Sequence, residues 1–325
     1  LNEQTRPSLP LGGTEGATEG GQYRQRFGVT VAAGPITDYA VEQLGIGWYL
    51  NWTVVPHPPQ LGGDAHPIDF WQMVWVNEAG ISPDAETIQA IAQASPGTTW
   101  LIGNEPDVPW QGNTTPETYA RFYHDLYHLL KTADPAAQVA IAAVSQPTPL
   151  RLAYLDRILD AYENQYGQAL PVDLWNVHNF ILREEHGSWG VDIPPGFVED
   201  TGMLYEIDQH DDLEIFRQQI VDFRRWMAAR GYRDRPLVVS EYGVLMPPDY
   251  GFDTQRVQFF MTGTFDFFLS ATDPELGYPA DEGRLVQRWA WYSLDDTLYP
   301  TGSLFDPQTK AMTPLGVAFA RYGSP

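Results

Sequence analysis

A single-domain α/β chain, eight strand–helix repeats closed into a (β/α)8 TIM barrel, is the fold the sequence predicts, and three observations predict it. Apolar, β-branched runs alternate with amphipathic stretches from residue 27 almost to the end, the pattern of a parallel sheet covered by helices. No antiparallel hairpin signal separates consecutive runs. The turn after the first run reads Ala32-Ala33-Gly34-Pro35, without the glycine-rich phosphate turn that a doubly wound sheet would typically carry there.

Taken in order, residues 27–31 form the first strand-like run, and a helix over 36–44 follows with Thr37 and Asp38 near its start. Runs 46–52 and 70–76 are the second and third strands. Between them Pro56, Pro58, Pro59 and Pro67 leave room only for a loop or a single turn. Ser82-Pro83 opens the next helix, with proline at the first helical position and Asp84 and Glu86 in the first turn; it ends near Ala94. Strand four is 98–102, followed by helix 116–131, whose Tyr119, Phe122, Tyr123, Leu126, Leu129 and Leu130 recur at helical spacing.

Strand 139–144, helix 150–166 and strand 172–177 come next. The stretch 180–210, broken by Gly and Pro, is too long for an ordinary connection and reads as a functional lid or wall. Helix 211–229, strand 236–239, helix 254–269, strand 286–292 and helix 314–322 complete the series. Residues 1–22 hold five glycines within their first 21 positions and no periodicity, so they read as a flexible tether, leaving 23–325 as the barrel.

Composition narrows the chemistry. With 19 Lys and Arg against 42 Asp and Glu, the formal charge is −23, which repels phosphate backbones and anionic lipid and argues against nucleic-acid and membrane-surface partners. A neutral or cationic substrate and a monomeric protein are expected. Aromatic residues make up 13% of the chain, including 11 Trp and 17 Tyr; such rings either stack on sugar faces or fill a large core. Cysteine is absent, which removes disulfides and thiolate chemistry. No apolar run reaches the ~18 residues of a membrane span, and a chain starting at Leu1 fits a processed, secreted protein.

Two glutamates stand where strand-like runs stop. Thr98-Thr99-Trp100-Leu101-Ile102 ends in Gly103-Asn104-Glu105-Pro106-Asp107, and Pro236-Leu237-Val238-Val239 ends in Ser240-Glu241-Tyr242-Gly243. An unpaired carboxylate at a buried strand end needs a partner or a purpose, and spare arginine on the strands is scarce. In a barrel both would reach one cleft at the carboxyl ends of the strands. A pair of carboxyls, one protonated and one ionised, is what glycoside hydrolysis requires, with configuration retained at about 5–5.5 Å separation and inverted at about 6.5–9.5 Å. Asn104 could bond a sugar hydroxyl, and His178 and Tyr242 are candidate donors to Glu241. Trp291 is expected to floor the cleft, and Asn51, Trp52, Trp75 and Trp110 are further candidates for contact with substrate.

These motifs resemble glycoside hydrolase clan A, the retaining β-glycosidase barrels: Asn104-Glu105-Pro106 after a fourth strand, Ser240-Glu241-Tyr242-Gly243 on a seventh and a Trp-bearing eighth strand. Within that clan, Trp48-Tyr49-Leu50-Asn51-Trp52 resembles the Trp-Tyr-Tyr-Asn-Trp string of the family 128 endo-β-1,3-glucanases, and Gly103 to Asp107 resembles their Asn-Glu-Pro-Asp segment. The resemblance implies Glu105 as general acid/base, Glu241 as nucleophile, no cofactor and a polysaccharide or oligosaccharide substrate. Other readings are a clan relative acting on β-1,4-mannan, xylan, glucan or a bacterial exopolysaccharide, and an inactive carbohydrate-binding barrel. His57, Asp64 and His66 lack metal-ligand spacing, so no metal is expected.

Overall fold

The computed structural model describes residues 19–323. Helix α1 (Glu19–Arg24) precedes strand β1 (Phe27–Thr30), β2 (Trp48–Leu50), β3 (Asp69–Phe70), β4 (Gln72–Asn77) and β5 (Gly80–Ser82). Then α2 (Ala85–Ala94), β6 (Thr99–Ile102), α3 (Pro116–Ala133), β7 (Gln138–Ile141), α4 (Pro149–Tyr166) and β8 (Trp175–His178) alternate. They are followed by α5 (Leu213–Ala229), β9 (Leu237–Gly243), α6 (Thr254–Ser270), β10 (Arg288–Tyr292) and α7 (Pro314–Gly323). α1 begins inside the segment assigned to a tether; residues 1–18 of that assignment lie outside the described residues.

Six strands form a parallel sheet in the order β3-β2-β1-β10-β9-β8, and β4, β6 and β7 form a second parallel set. Only Trp71 separates β3 from β4, and Ala140 of β7 makes a parallel bridge to Leu174 just before β8. Apolar side chains sort onto two faces of these strands, as the period of two demands. One face packs Trp48, Leu50, Trp71, Met73, Leu101, Ala140, Val238 and Ala290 into a single cluster. Gly28 belongs to that crowded side: a Cβ there would stand 2.4 Å from the Trp48 ring, so only glycine leaves room for the indole. The opposite faces pack against the helices, through residues such as Trp100, Val139, Trp175, Val239, Trp289 and Phe265.

Three expectations change. The helix over 36–44 resolves into two 3-10 turns, Ile36–Asp38 and Val41–Leu44. An antiparallel hairpin does occur, β4 with β5, its turn bound by Asn77 Oδ1 accepting from the Ala79 and Gly80 amides; an Asx-type turn of this kind lacks the Asn-Gly signature of a two-residue hairpin. α2 is capped by Asp84, whose side chain accepts from the Thr87 amide, so Pro83 lies before the helix instead of inside it. Among the described residues, no helix is long and apolar enough to cross a membrane.

Candidate active site

Glu105 and Glu241 follow β6 and lie in β9, and the structure brings both to one imidazole. His178, the last residue of β8, meets Glu105 Oε1 through Nδ1 at 2.8 Å and Glu241 Oε1 through Nε2 at 3.3 Å. The first contact is a hydrogen bond. The second is a charge contact without hydrogen-bond geometry, and Nε2 has no other partner among the described residues. Glu105 is 9% exposed and Glu241 5%, while His178 is fully buried.

Local backbone devices aim each acid. After β6 the chain turns through Gly103 at φ 94° and Glu105 at φ 38°, a left-handed conformation that costs a non-glycine residue of order 1–3 kcal/mol and is held only where neighbours enforce it. Here the Glu105 amide donates to the Ala143 carbonyl, and the Glu105 carbonyl accepts from the Val108 and Gly112 amides, each at 3.1 Å. Glu241 is turned by a bulge. Val239 pairs with Val177 but Glu241 with His178, and on the other side Val239 pairs with Trp289 but Tyr242 with Trp291. The extra residue resets the alternation. Val238 and Glu241 therefore share the inner side, while Val239 and Tyr242 face the helices.

Trp52 also adopts positive φ, 58°, and its Nε1–H donates to Glu241 Oε1 at 2.5 Å. Its ring lies against Tyr292, centroids 5.9 Å apart. Asn104 is buried beside Glu105. Its Nδ2 makes a long contact of 3.4 Å to Gln111, and its Oδ1 has no partner among the described residues.

The electrostatics of the three central groups are linked. Burial pushes the Glu241 carboxyl up to about 7, and the negative charge of Glu105 adds to that; the His178 charge and the Trp52 hydrogen bond pull it back. Burial alone pulls the His178 imidazole down, but the charge of Glu241 and the hydrogen bond and charge of Glu105 outweigh it and hold the ring above its ordinary value. Glu241 and His178, coupled this closely, titrate as a unit.

Two sequence expectations are corrected here. Tyr242 does not donate to Glu241: its hydroxyl sits 3.3 Å from Thr264 Oγ1, among Phe216, Phe268 and Trp291. Trp291 does not floor the site either; it is fully buried on the helix side and donates to the Gly302 carbonyl at 2.8 Å. The aromatic residue facing the acids from β10 is Tyr292, on the other face of the same strand, against Trp52 and Phe180. Strict alternation from the core residue Trp289 gives that answer, since Trp289 and Trp291 must share a side.

The remaining candidates lie on β4 and on the loops after β2 and β6. Trp75 stands two residues after Met73 on β4 and is half-buried. Trp110 stands 57% exposed on the loop after Glu105. Asn51 is half-buried and accepts from Thr53 Oγ1 at 2.8 Å. The sequence reading missed Tyr292, and it missed a buried arginine, Arg151, behind the Glu105 loop.

Comparison with known proteins adds a family match. No curated protein is similar in sequence. Among solved structures, the chain resembles a GH128 (subgroup II) endo-β-1,3-glucanase from Sorangium cellulosum at 17% identity and TM-score 0.61, over 92% of this chain and 98% of that one. It also resembles a GH128 (subgroup I) endo-β-1,3-glucanase from Amycolatopsis mediterranei in complex with laminaritriose, at 19% and 0.59, over 92% and 99%. A GH128 (subgroup III) curdlan-specific exo-β-1,3-glucanase from Blastomyces gilchristii aligns at 18% and 0.56, over 90% and 97%. At such identities these neighbours speak for the fold. Residues 29–189, which include Glu105 and His178, match the model of the glycosyl hydrolase catalytic core, and the chain is a glycoside hydrolase.

Proposed function

We propose that this protein is a retaining, endo-acting β-1,3-glucan hydrolase of the clan A kind, with Glu105 as acid/base and Glu241 as nucleophile. The observation that carries the reading is the pair of nearly buried carboxyls meeting at His178 from the ends of different strands. The β3–β4 continuity through Trp71 and the Ala140–Leu174 bridge support reading the two sheets as one closed (β/α)8 barrel, whose chemistry sits at the carboxyl ends of the strands. The β-1,3-glucan assignment draws on the neighbours, one of which is solved with laminaritriose.

In the first step a Glu241 oxygen attacks the anomeric carbon while Glu105 gives its proton to the departing glycosidic oxygen, leaving a glycosyl ester on Glu241. Glu105, now a carboxylate, takes a proton from water. The resulting hydroxide oxygen attacks the anomeric carbon, releases the sugar with its original configuration and restores both acids. The Trp52 N–H and the His178 charge favour the ionised Glu241 that this requires. Because Glu241 sits up at about 7, we expect one limb of the kcat/KM profile to fall near 7 rather than between 4 and 5.

The raised position of Glu241 also supports a second reading in which the two acids exchange roles. One pair of variants decides. With Glu241 as nucleophile, Glu241→Ala loses turnover on laminarin, and azide restores cleavage as a glycosyl azide of opposite anomeric configuration. Glu105→Ala would still cleave aryl glycosides with good leaving groups, which need no proton donor. The exchanged assignment gives the mirror result, and normal activity in Glu241→Ala would refute both. Product lengths from laminarin, mannan, xylan and carboxymethylcellulose test linkage and endo action in the same assay.

A further inference from the structure

Behind the Glu105 loop lies a fully buried ionic cluster that the hydrolytic steps above do not use. Arg151, in the first turn of α4, donates through Nε to Asp107 Oδ2 and to Ser145 Oγ, both at 2.7 Å. Its Nη1 bonds Glu184 of the 180–210 stretch, and its Nη2 bonds the Val191 and Asp192 carbonyls at 3.0 and 3.1 Å. Arg151, Asp107 and Glu184 are each 0% exposed. Asp107 also accepts from the Ser145 amide and hydroxyl, at 3.1 and 2.8 Å. Glu184 accepts from Thr148 Oγ1 at 2.5 Å and the Met203 amide at 2.6 Å.

A buried guanidinium among carboxylates is a poor source of net stability, because desolvation consumes most of the Coulombic gain. Its position suggests another use. Asp107 is two residues from Glu105 on the same loop, and its charge acts both there and on His178. Four nearly buried carboxyls, Glu105, Asp107, Glu184 and Glu241, are thus collected in one region, and Arg151 is the permanent cation among them. Also near these carboxyls are Tyr154 of α4, whose hydroxyl donates to the Thr114 carbonyl, and Tyr292 of β10, whose hydroxyl donates to the buried Asp296 carboxyl, a fifth acid at the edge of the group.

We propose that Arg151 is a positioning residue for the acid pair: through Asp107 it holds the Glu105 loop, and its fixed charge sets the pH range over which Glu105, His178 and Glu241 are correctly protonated. The proposal rests on the hydrolase site described above and can be read without substrate. The probe is the His178 imidazole in uniformly 15N-histidine-labelled protein, assigned by its loss in His178→Gln. Removing the cation in Arg151→Met should move the His178 titration to higher pH by about 0.5–1 unit, because the remaining carboxylates then favour its proton. Asp107→Asn removes the facing anion and should move it to lower pH. Arg151→Lys, which restores charge without the fork, should bring it back to the wild-type position.

The limb of kcat/KM near 7 on laminarin should move with the imidazole in each variant. Unchanged His178 titration in both Arg151→Met and Asp107→Asn overturns the proposal and leaves the cluster a structural one. If Arg151→Met does not fold, Asp107→Asn, which keeps the shape and one oxygen to accept from the Ser145 amide and hydroxyl, decides by itself. Wild-type protein inactive on every glycan tested, with His178 still responding as stated, would sink the substrate assignment and leave this inference standing.

Discussion

Trp52 shows what a single side chain can do for an acid it touches. Its backbone is held at φ 58° and its indole N–H ends on Glu241 Oε1, so the bond is built at a conformational cost that a merely space-filling residue would not need. Trp52→Phe keeps the ring against Tyr292 and deletes the donor. Glu241 should then become harder to ionise, with kcat/KM down about tenfold, in line with the ~1.5 kcal/mol of a hydrogen bond to a charged group, and with the limb near 7 moved to higher pH. An unchanged pH profile in Trp52→Phe would reduce Trp52 to a platform. At this scale the two glutamates were legible because a charged residue closing an apolar run is chemically conspicuous. Tyr242 and Trp291 were misread for the opposite reason. Proximity in sequence to an acid or to an aromatic strand says nothing about which face a side chain takes, and the bulge in β9 reverses that face at Ser240-Glu241.

At the scale of elements, the 180–210 stretch is a wall and not a lid. Gln146 Nε2 donates to the Leu182 carbonyl and its Oε1 accepts from the Leu182 amide, at 2.8 and 2.7 Å. Arg151 pins Glu184, and His210 at the far end bonds the Ile181 carbonyl and accepts from the Leu245 amide beyond β9, both at 2.9 Å. Val108, Phe180, Leu182 and Val191 pack under the same stretch. That anchoring was invisible in the sequence, where the segment is only a Gly- and Pro-broken gap, because its partners come from the loop after β7, from α4 and from the chain beyond β9. Burial pushes His210 down to about 4. A neutral histidine locked in this way stabilises the fold above its unfolded value near 6.5, and the contribution is lost as pH falls from there toward 4, about 3 kcal/mol in all. His210→Gln should lower the urea midpoint at pH 7 and flatten its fall between pH 6.5 and 4.5. A wild-type and variant pair with parallel pH curves would remove His210 from this role.

Over the whole molecule, buried groups pull stability in opposite directions with pH. Glu241, up at about 7, contributes stability that is fully present below its unfolded value near 4.5 and is lost as pH rises through 7. His178, also raised, acts in the same sense, and His210 opposes them. Between pH 4.5 and 6.5 Glu241 and His210 therefore offset each other in part, and wild-type thermal stability should change less steeply than either group alone would impose. Glu241→Gln deletes one arm of the balance: its Tm should exceed the wild-type value at pH 8, where the buried charge is fully formed, and should fall on acidification with the slope His210 imposes. Equal Tm values at pH 8 would show that the Glu241 charge is not penalised by burial. The alternation of strands and helices was readable because each element carries its own period. The hairpin at β4–β5 and the 3-10 turns after β1 were not, since side-chain turn bonds and packing override propensity over short stretches.

One ring serving two acids has a consequence for how the enzyme can adapt. Since Glu105 and Glu241 both lean on His178, a substitution of that imidazole is felt by both acids at once. Adaptation to a more acidic or more alkaline habitat through the ring would displace the activity profile as a whole, whereas a change at Trp52 reaches Glu241 from outside the shared contact.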